Sequence, residues 1–384
     1  MPKPSQAWYN GAVLDWYGGL LGYDASALPL DRLMLLGASG DIRWQVERKM
    51  GVEGSYSSSI QVGRSCPTPE MRAAAERLNL EIADPCLVVS GNPTKFLQGH
   101  NVFGPPVSAL APVVRAMVRA MPDKYRPGNA GSELWPAVHR TRVDITTAVD
   151  LGEHRLVHEW LRSAASLSRS RGGVAEQMGE KHGRELVSGD TVYWQKHSRR
   201  WSLKAYCKFC ELKAHTPVIE PHFLAALWEW CRGQLRLELT LRRPELKDRG
   251  TLDEGLLWEY MERLTWGVIE LEKLKKMPEN LPRALLATWY EWLNGIDVRC
   301  TLRRRTFYNH RQAILRLTGA DISLPVPKQD SSKQLYDLAW LREHALGELP
   351  KYLAALAQST MFTPEPHPKW TAKGVAENEA VQPA

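Results

Sequence analysis

The chain has 384 residues, 43% hydrophobic and 24% charged, and a formal net charge of +7. That length suits two domains, or one large domain with an appendage. The basic excess favours nucleic acid or another anionic partner without selecting one. No run of about 18 apolar residues is present, so no transmembrane helix and no membrane partner are expected. Asp15 interrupts the only apolar stretch near the N-terminus, which argues against a signal peptide. Six cysteines spread over this length point to a reducing cytoplasm rather than to a disulfide framework.

Residues 1–30 are rich in aromatic residues and glycine and predict no element. Short apolar runs at Ser55–Val62 and Cys86–Val89 predict strands. Leu110, Val113, Val114, Met117 and Met121 fall on one side of a predicted helix, Val107–Met121, that Pro122 ends. Val138–Asp150 then alternates: Val143, Ile145, Thr147 and Val149 point one way, and Arg140, Arg142, Asp144, Thr146 and Asp150 the other. An amphipathic helix is predicted over Glu153–Ala165, with Leu156, Trp160, Leu161 and Ala164 as its buried stripe. Ser163–Gly173 reads as a flexible basic loop.

Thr191–Trp194 and Trp201–Phe209 are adjoining strand candidates, and Leu235–Arg242 is a third. The order strand, helix, hairpin, helix, strand predicts an α+β domain with a mostly antiparallel sheet and flanking helices. After Pro244 the pattern turns helical, at Leu252–Leu264, Pro282–Leu293 and Arg304–Leu317, with Gly319 at a C-cap position. The Pro-, Ala- and Glu-rich end from Met361 is expected to be disordered. The expected division is a sheet domain over 1–245, a helical connector over 246–281, a smaller helical C-terminal domain over 282–350, and a disordered tail over 351–384.

Three of these strands carry one apolar and one charged face. The charged faces supply Arg142 and Asp144; Lys204, Tyr206 and Lys208; and Arg236 and Glu238. If the strands are neighbours, one surface gathers carboxylates, cations and a phenol. Carboxylates such as Asp144 and Glu238 suit a hard divalent ion such as Mg²⁺. The cations would hold a phosphate, and the phenol would attack it. Only about one free tyrosine in a thousand is ionised at pH 7, a deficit of roughly 4 kcal/mol that nearby cations reduce. The same pattern also describes an ordinary solvated sheet face, and alternation alone does not choose.

The run Asn92-Pro-Thr-Lys-Phe-Leu-Gln-Gly-His-Asn-Val-Phe-Gly104 resembles a Pro-x-Lys-x-Leu-Gln-Gly-His-Asn-Val-Phe-Gly segment of filamentous-phage replication initiators, the gene II/X family. Other segments follow in the same order: Thr141-Arg-Val-Asp-Ile145, Thr191-Val-Tyr-Trp194, Ser198-Arg199, Leu203-Lys-Ala-Tyr-Cys-Lys208 with Glu211, Leu235-Arg-Leu-Glu238, and Thr306-Phe-Tyr-Asn-His-Arg311 with Gly319-Ala-Asp-Ile322. The resemblance covers about residues 50–325. It implies a nicking and closing enzyme of rolling-circle replication, acting in the bacterial host cytoplasm on supercoiled double-stranded origin DNA. A tyrosine would join the 5′ phosphate and leave a 3′ hydroxyl for the host polymerase. The displaced single strand, unwound by a host helicase, would then be rejoined. A non-catalytic origin-binding or copy-control protein is the alternative.

The resemblance places the linking tyrosine in the Ala-Tyr-x-Lys segment, at Tyr206, with Tyr193 as a rival. Lys204, Lys208 and Arg142 would assist it. Asp144, Glu238, His100 and Glu211 would hold Mg²⁺ or Mn²⁺, and Lys95, Arg199 and Arg236 would contact DNA. A His-hydrophobic-His metal motif is absent, so the role of His100 stays open between metal, phosphate and loop ordering. Arg303, Arg304, Arg305 and Arg311 lie beside Phe307, Tyr308 and His310, which suits a DNA-reading helix. Trp194 and Trp201 flank the hairpin, where unpaired bases could stack on them, although Trp201 lies on the apolar face and better suits burial under the sheet. Cys207-Lys-Phe-Cys210 has zinc-like spacing, but no second cysteine pair follows, and these cysteines read as small packing residues. Self-association is left open.

Overall fold

The computed structural model describes residues 12–54, 58–128, 134–170, 173–174, 176–182, 185–266, 281–318, 320, 322–323, 326, 338–347 and 349–357. Fourteen strands occur among them: β1 (Val13–Asp24), β2 (Arg32–Leu36), β3 (Ile42–Glu47), β4 (Met50–Glu53), β5 (Ser59–Ser65), β6 (Cys86–Gly91), β7 (Arg140–Asp150), β8 (Ser168–Ser170), β9 (Gly173–Val174), β10 (Glu176–His182), β11 (Glu185–Trp194), β12 (Trp201–Cys207), β13 (Gln234–Arg242) and β14 (Thr265–Trp266). Nine form one sheet in the order β10-β11-β12-β13-β7-β1-β6-β5-β4, antiparallel throughout. The α+β architecture with a mostly antiparallel sheet therefore stands.

The apolar faces of the alternating strands coincide in register. Leu239 lies opposite Leu203 on one side and Ile145 on the other, and Leu241 opposite Val143. Helix α5 (His154–Leu167) brings Val157, Trp160, Leu161 and Ala164 into the same core, and α9 (Leu256–Glu262) adds Leu257, Tyr260 and Met261. The opposite face of the sheet has its own cover. Here α6 (Lys208–Ala214) and α7 (Pro221–Cys231) meet, joined by the segment that leaves α2 (Pro93–Gln98), and Val102, Phe103, Leu212, Phe223, Leu227 and Leu353 make a second, smaller core. The charged strand faces lie beneath this layer.

Several boundaries differ from expectation. Val13–Asp24, within the stretch that predicts nothing, is a central strand. Its glycines break the alternation for a packing reason: a Cβ on Gly22 would lie 2.2 Å from the Trp135 indole, and one on Gly19 would meet the Tyr17 ring. β12 ends at Cys207, so Lys208 and Phe209 belong to α6. The expected loop at Ser163–Gly173 is instead the end of α5 followed by β8. In the expected connector, α9 is packed into the sheet core through Leu256, Trp258 and Tyr260. Residues from the expected C-terminal domain and tail also return to the sheet. The amide of Leu346 donates to the carbonyl of Ala148 at 2.8 Å, and Leu353 of the helix Lys351–Ala357 joins the smaller core. Ser55, Gly319 and the stretch from Met361 lie outside the described residues.

A separate helical core surrounds Trp289, Trp292, Val298, Phe307 and Ile314, built from the helices Arg283–Leu293, Val298–Thr301 and Arg304–Thr318.

Candidate active site

The register of β12, β13 and β7 brings the three charged faces side by side. Lys204 lies opposite Glu238, Tyr206 opposite Arg236, and Thr240 opposite Asp144. The fourth contributor is β1. Leu14 pairs with Ile145 and Trp16 with Asp144, which leaves Asp15 as an extra residue between them. A β-bulge of this kind re-aims the side chain of the extra residue. Asp15 Oδ1 accepts hydrogen bonds from Asn92 at 2.9 Å and from Asn101 at 2.8 Å, and stands 3.5 Å from the Arg236 guanidinium. Sequence reasoning missed Asp15 as a site residue. The available signal was a lone carboxylate in an otherwise apolar stretch, where an ionised group needs partners.

Most of this face is shielded from solvent, with Arg142 and Lys204 at its half-buried edge. Asp144, Arg236 and Tyr206 are buried, with Tyr206 only 3% exposed. Burial pushes the Asp144 carboxyl up to about 6; Arg142 opposes that shift, and Glu238 and Asp15 add to it. Arg142 grips Asp144 with two donors, at 2.9 and 2.5 Å, while its guanidinium carbon lies 4.9 Å from the centre of a Trp16 ring. Lys204 Nζ is 3.1 Å from Glu238 and 4.2 Å from the centre of the Tyr206 ring. Burial works most strongly against the Lys204 ammonium, but Glu238, through its charge and hydrogen bond, together with Tyr193 and Asp15 outweighs it and raises its pKa. The Tyr206 phenol is held well above its ordinary range by burial first and then by Glu238, with Arg236 opposing. Asp15, Asp144 and Glu238 are hard oxygen donors whose charges act on one another, but among the described residues their oxygens do not converge on one point. That donor chemistry fits Mg²⁺ or Mn²⁺.

The segment that connects α2 to the rest of the chain closes the site. Gly99, at φ +86°, ends α2 and turns the chain into His100–Gly104. Val102 gives its carbonyl to Arg236 at 2.8 Å, and the same guanidinium donates to Thr146 Oγ1 at 2.7 Å. Asn101 accepts from Lys208 Nζ at 3.0 Å, and Lys208 also donates to Glu211 at 2.6 Å. Lys208 therefore enters the site from the first turn of α6. It does not stand on the strand face of Tyr206 as alternation implied. The same strand end brings Glu211 in; although burial opposes it, the Lys208 charge lowers the Glu211 pKa. His100 is buried, its ring centre 4.5 Å from that of Phe103 and 5.4 Å from that of Phe223. Burial, then the charges of Lys208 and Arg236, push its pKa down to about 3.

The remaining predicted residues are dispersed. Lys95 is half-buried on α2, and Arg199 is exposed in the turn between β11 and β12. Arg303, Arg304 and Arg305 are exposed at the start of the helix Arg304–Thr318, with Tyr308 exposed and Phe307 in the helical core. Arg311 lies on the same helix and is half-buried. Trp194 is fully buried and Trp201 packs edge-on against Tyr260, so Trp194 is not a platform for unpaired bases.

Against known proteins, the family model for the N-terminal part of replication-associated protein G2P matches residues 47–262. Replication-associated protein G2P of Enterobacteria phage I2-2 is 30% identical over 342 residues, 83% of this chain and 90% of that protein. The chain belongs to the replication-associated protein G2P family. The G2P of Salmonella phage IKe is 28% identical over 135 residues, 34% of this chain and 28% of that protein. A solved structure, a rolling circle replication initiator protein from Geobacillus stearothermophilus, aligns with 67% of this chain and 86% of its own at 11% identity and a TM-score of 0.30. The match to the G2P family spans β12, β13, β7 and the His100–Gly104 segment, and ends with α9. Among the described residues no helix is long and apolar enough to cross a membrane.

Proposed function

We propose that this G2P-family chain is a metal-dependent, site-specific DNA endonuclease and strand transferase that starts rolling-circle replication with Tyr206 as its nucleophile. The observation that carries the proposal is the shared face. Tyr206 stands beside the Lys204 ammonium, at 4.2 Å, on the strand surface that also holds Asp144, Glu238 and Arg236. The phenolate oxygen attacks the scissile phosphorus, the bond to the 3′ oxygen breaks, and a 5′-phosphotyrosyl ester forms. The freed 3′ oxygen takes up a proton and serves as the primer end for the host polymerase. Closing is the reverse attack, by the 3′ hydroxyl of the displaced strand on the ester.

Burial holds the Tyr206 phenol well above its ordinary range, so ionisation at pH 7 costs more than the roughly 4 kcal/mol of a free tyrosine. A Mg²⁺ or Mn²⁺ ion recruited by the carboxylates of Asp15, Asp144 and Glu238, which would have to close around it, would polarise the phosphate and favour the phenolate. Lys204 and Arg142 already neutralise two of those carboxylates, and in the reaction they are free to turn to the phosphate. Arg236 and Lys208, both buried and hydrogen-bonded, position the phenol and the Asn101 segment. His100 orders that segment. Its charged neighbours are cations, which suits neither a metal nor a proton.

Supercoiled origin DNA is the substrate, and the displaced single strand is the second. Incubating the protein with its origin plasmid and Mg²⁺, then mapping the DNA-linked peptide, tests this. Tyr206→Phe is expected to retain origin binding and lose both nicking and the covalent adduct. An adduct in that variant, or one abolished instead by Tyr193→Phe, overturns the assignment. Sequence-specific binding without cleavage under Mg²⁺ or Mn²⁺ would make the chain an origin-binding protein only.

A further inference from the structure

On the far side of the same strand end, four side chains outside the nicking site converge. His154 and His158 stand one turn apart on α5, so both rings project from one face of that helix. Cys207 is the last residue of β12 and Cys210 lies in the first turn of α6. Had the strand continued through Cys210, the two sulfurs would have faced opposite ways. Because the chain turns into a helix at Lys208, both reach the histidines. His154 Nε2 lies 3.1 Å from Cys210 Sγ, His158 Nε2 lies 3.5 Å from the same sulfur, and the two Nε2 atoms are 3.0 Å apart. All four ligand atoms lie within 4.8 Å of one another, and no other group of three or more His, Cys, Asp or Glu side chains converges in this way among the described residues.

We propose that Cys207, Cys210, His154 and His158 bind one structural Zn²⁺ ion. Zinc bonded tetrahedrally to two sulfurs at about 2.3 Å and two nitrogens at about 2.0–2.1 Å sets its ligands roughly 3.3–3.8 Å apart. The separations among His154, His158 and Cys210 are close to that, and Cys207 Sγ lies within 4.8 Å of each of them. The donor set is soft and borderline, two thiolates and two imidazoles, and it selects zinc over the hard ions that suit the carboxylates of Asp15, Asp144 and Glu238. Four protein ligands leave no open position, so the ion is structural rather than catalytic. Two thiolates balance its charge, which suits a half-buried site with Cys207 buried. The nearest supporting packing is Phe209, whose ring centre is 5.2 Å from that of His154.

The position gives the ion a consequence. Cys207 follows Tyr206 directly, and Cys210 lies between Lys208 and Glu211. Zinc would tie α5, on the apolar side of the sheet, to the strand-to-helix turn that aims Tyr206 and Lys208 into the opposite side. Metal binding at such a crosslink contributes directly to folding free energy.

Full-length protein, purified under reducing conditions and dialysed against Zn²⁺, is expected to carry one zinc per chain by elemental analysis. Replacement by Co²⁺ is expected to give the strong visible bands and near-ultraviolet thiolate charge transfer of a tetrahedral sulfur-ligated ion. Cys210→Ala and His158→Gln change half-buried ligands and are each expected to lose the stoichiometric zinc and the cobalt bands. Cys300→Ser, at an exposed cysteine elsewhere, is expected to keep both. Removing zinc is expected to lower the melting temperature of the wild type and leave that of Cys210→Ala unmoved. The proposal fails if the reduced wild type retains no zinc, if cobalt binds without the thiolate band, or if the two ligand variants keep their metal. None of these readouts depends on DNA nicking, so their failure is separate from failure of the endonuclease reading.

Discussion

At the scale of single residues, two side chains of the site meet burial differently. Asp15 keeps the amides of Asn92 and Asn101 and the Arg236 guanidinium as partners, whereas His100 sits among Phe103, Phe223 and nearby positive charge and gives up its proton. That has a pH consequence with a definite sign. The folded pKa of His100 is about 3 against an ordinary value of 6.5. Between those values the unfolded chain binds a proton that the native chain refuses, so stability falls as pH falls below 6.5. Each pH unit costs about 1.4 kcal/mol, or on the order of 3 kcal/mol by pH 4.5. His100→Phe keeps a ring of similar shape and removes the proton site. Urea denaturation of both proteins from pH 7.5 to 4.5 is expected to show a steeper loss for the wild type, and parallel curves would refute the burial argument. Asp15 was illegible as a site residue because its role depends on a bulge. Bulges leave no periodic trace, and the glycines beside this one erase the alternation that would have marked the strand.

At the scale of elements, α2 is where the sequence motif turns into geometry. Asn92 caps this helix, its side chain accepting from the Lys95 amide at 2.8 Å while its own amide donates to Asp15. Pro93 occupies the first helical turn and Gly99 leaves it in the left-handed region, so both ends are set by residue types suited to those places. The run from Asn92 to Gly104 is therefore a single capped helix and its exit, holding Asn101 and Val102 over the sheet. Asn92→Ala is expected to cost about 1 kcal/mol through loss of the cap, read by chemical denaturation. It is also expected to weaken nicking more than binding, because Asp15 loses a partner. Equal losses of binding and nicking would place Asn92 in DNA contact instead. Alternation made the faces of β7, β12 and β13 legible, because each has one fully buried apolar side. It could not show where β12 stops, since Cys207 and Phe209 continue the same period. Nor could it show that the charged faces lie under a second layer, because Val102 and Phe103 come from a segment about 100 residues before β12.

At the scale of the whole molecule, the sheet with its two covering layers and the helical unit around Trp289 have separate cores, which permits separate tasks. The charged groups beside Tyr206 are mostly paired with one another, so the sheet site contributes few cations to a duplex bound at long range. The exposed Arg303, Arg304 and Arg305, with Tyr308 beside them, form a surface that can meet phosphates directly. On duplex DNA each neutralised phosphate contributes about 0.9 to the slope of log affinity against log salt. Replacing all three arginines with alanine is therefore expected to reduce that slope by up to about 2.7 and to weaken origin binding most at low salt. Cleavage of a short single-stranded origin oligonucleotide at saturating protein should change little, because the groups around Tyr206 are untouched. Fluorescence anisotropy over a salt series, run beside the oligonucleotide assay, separates the two effects. If the triple variant keeps the full salt slope, DNA is held by the sheet domain alone, and the helical unit has another task.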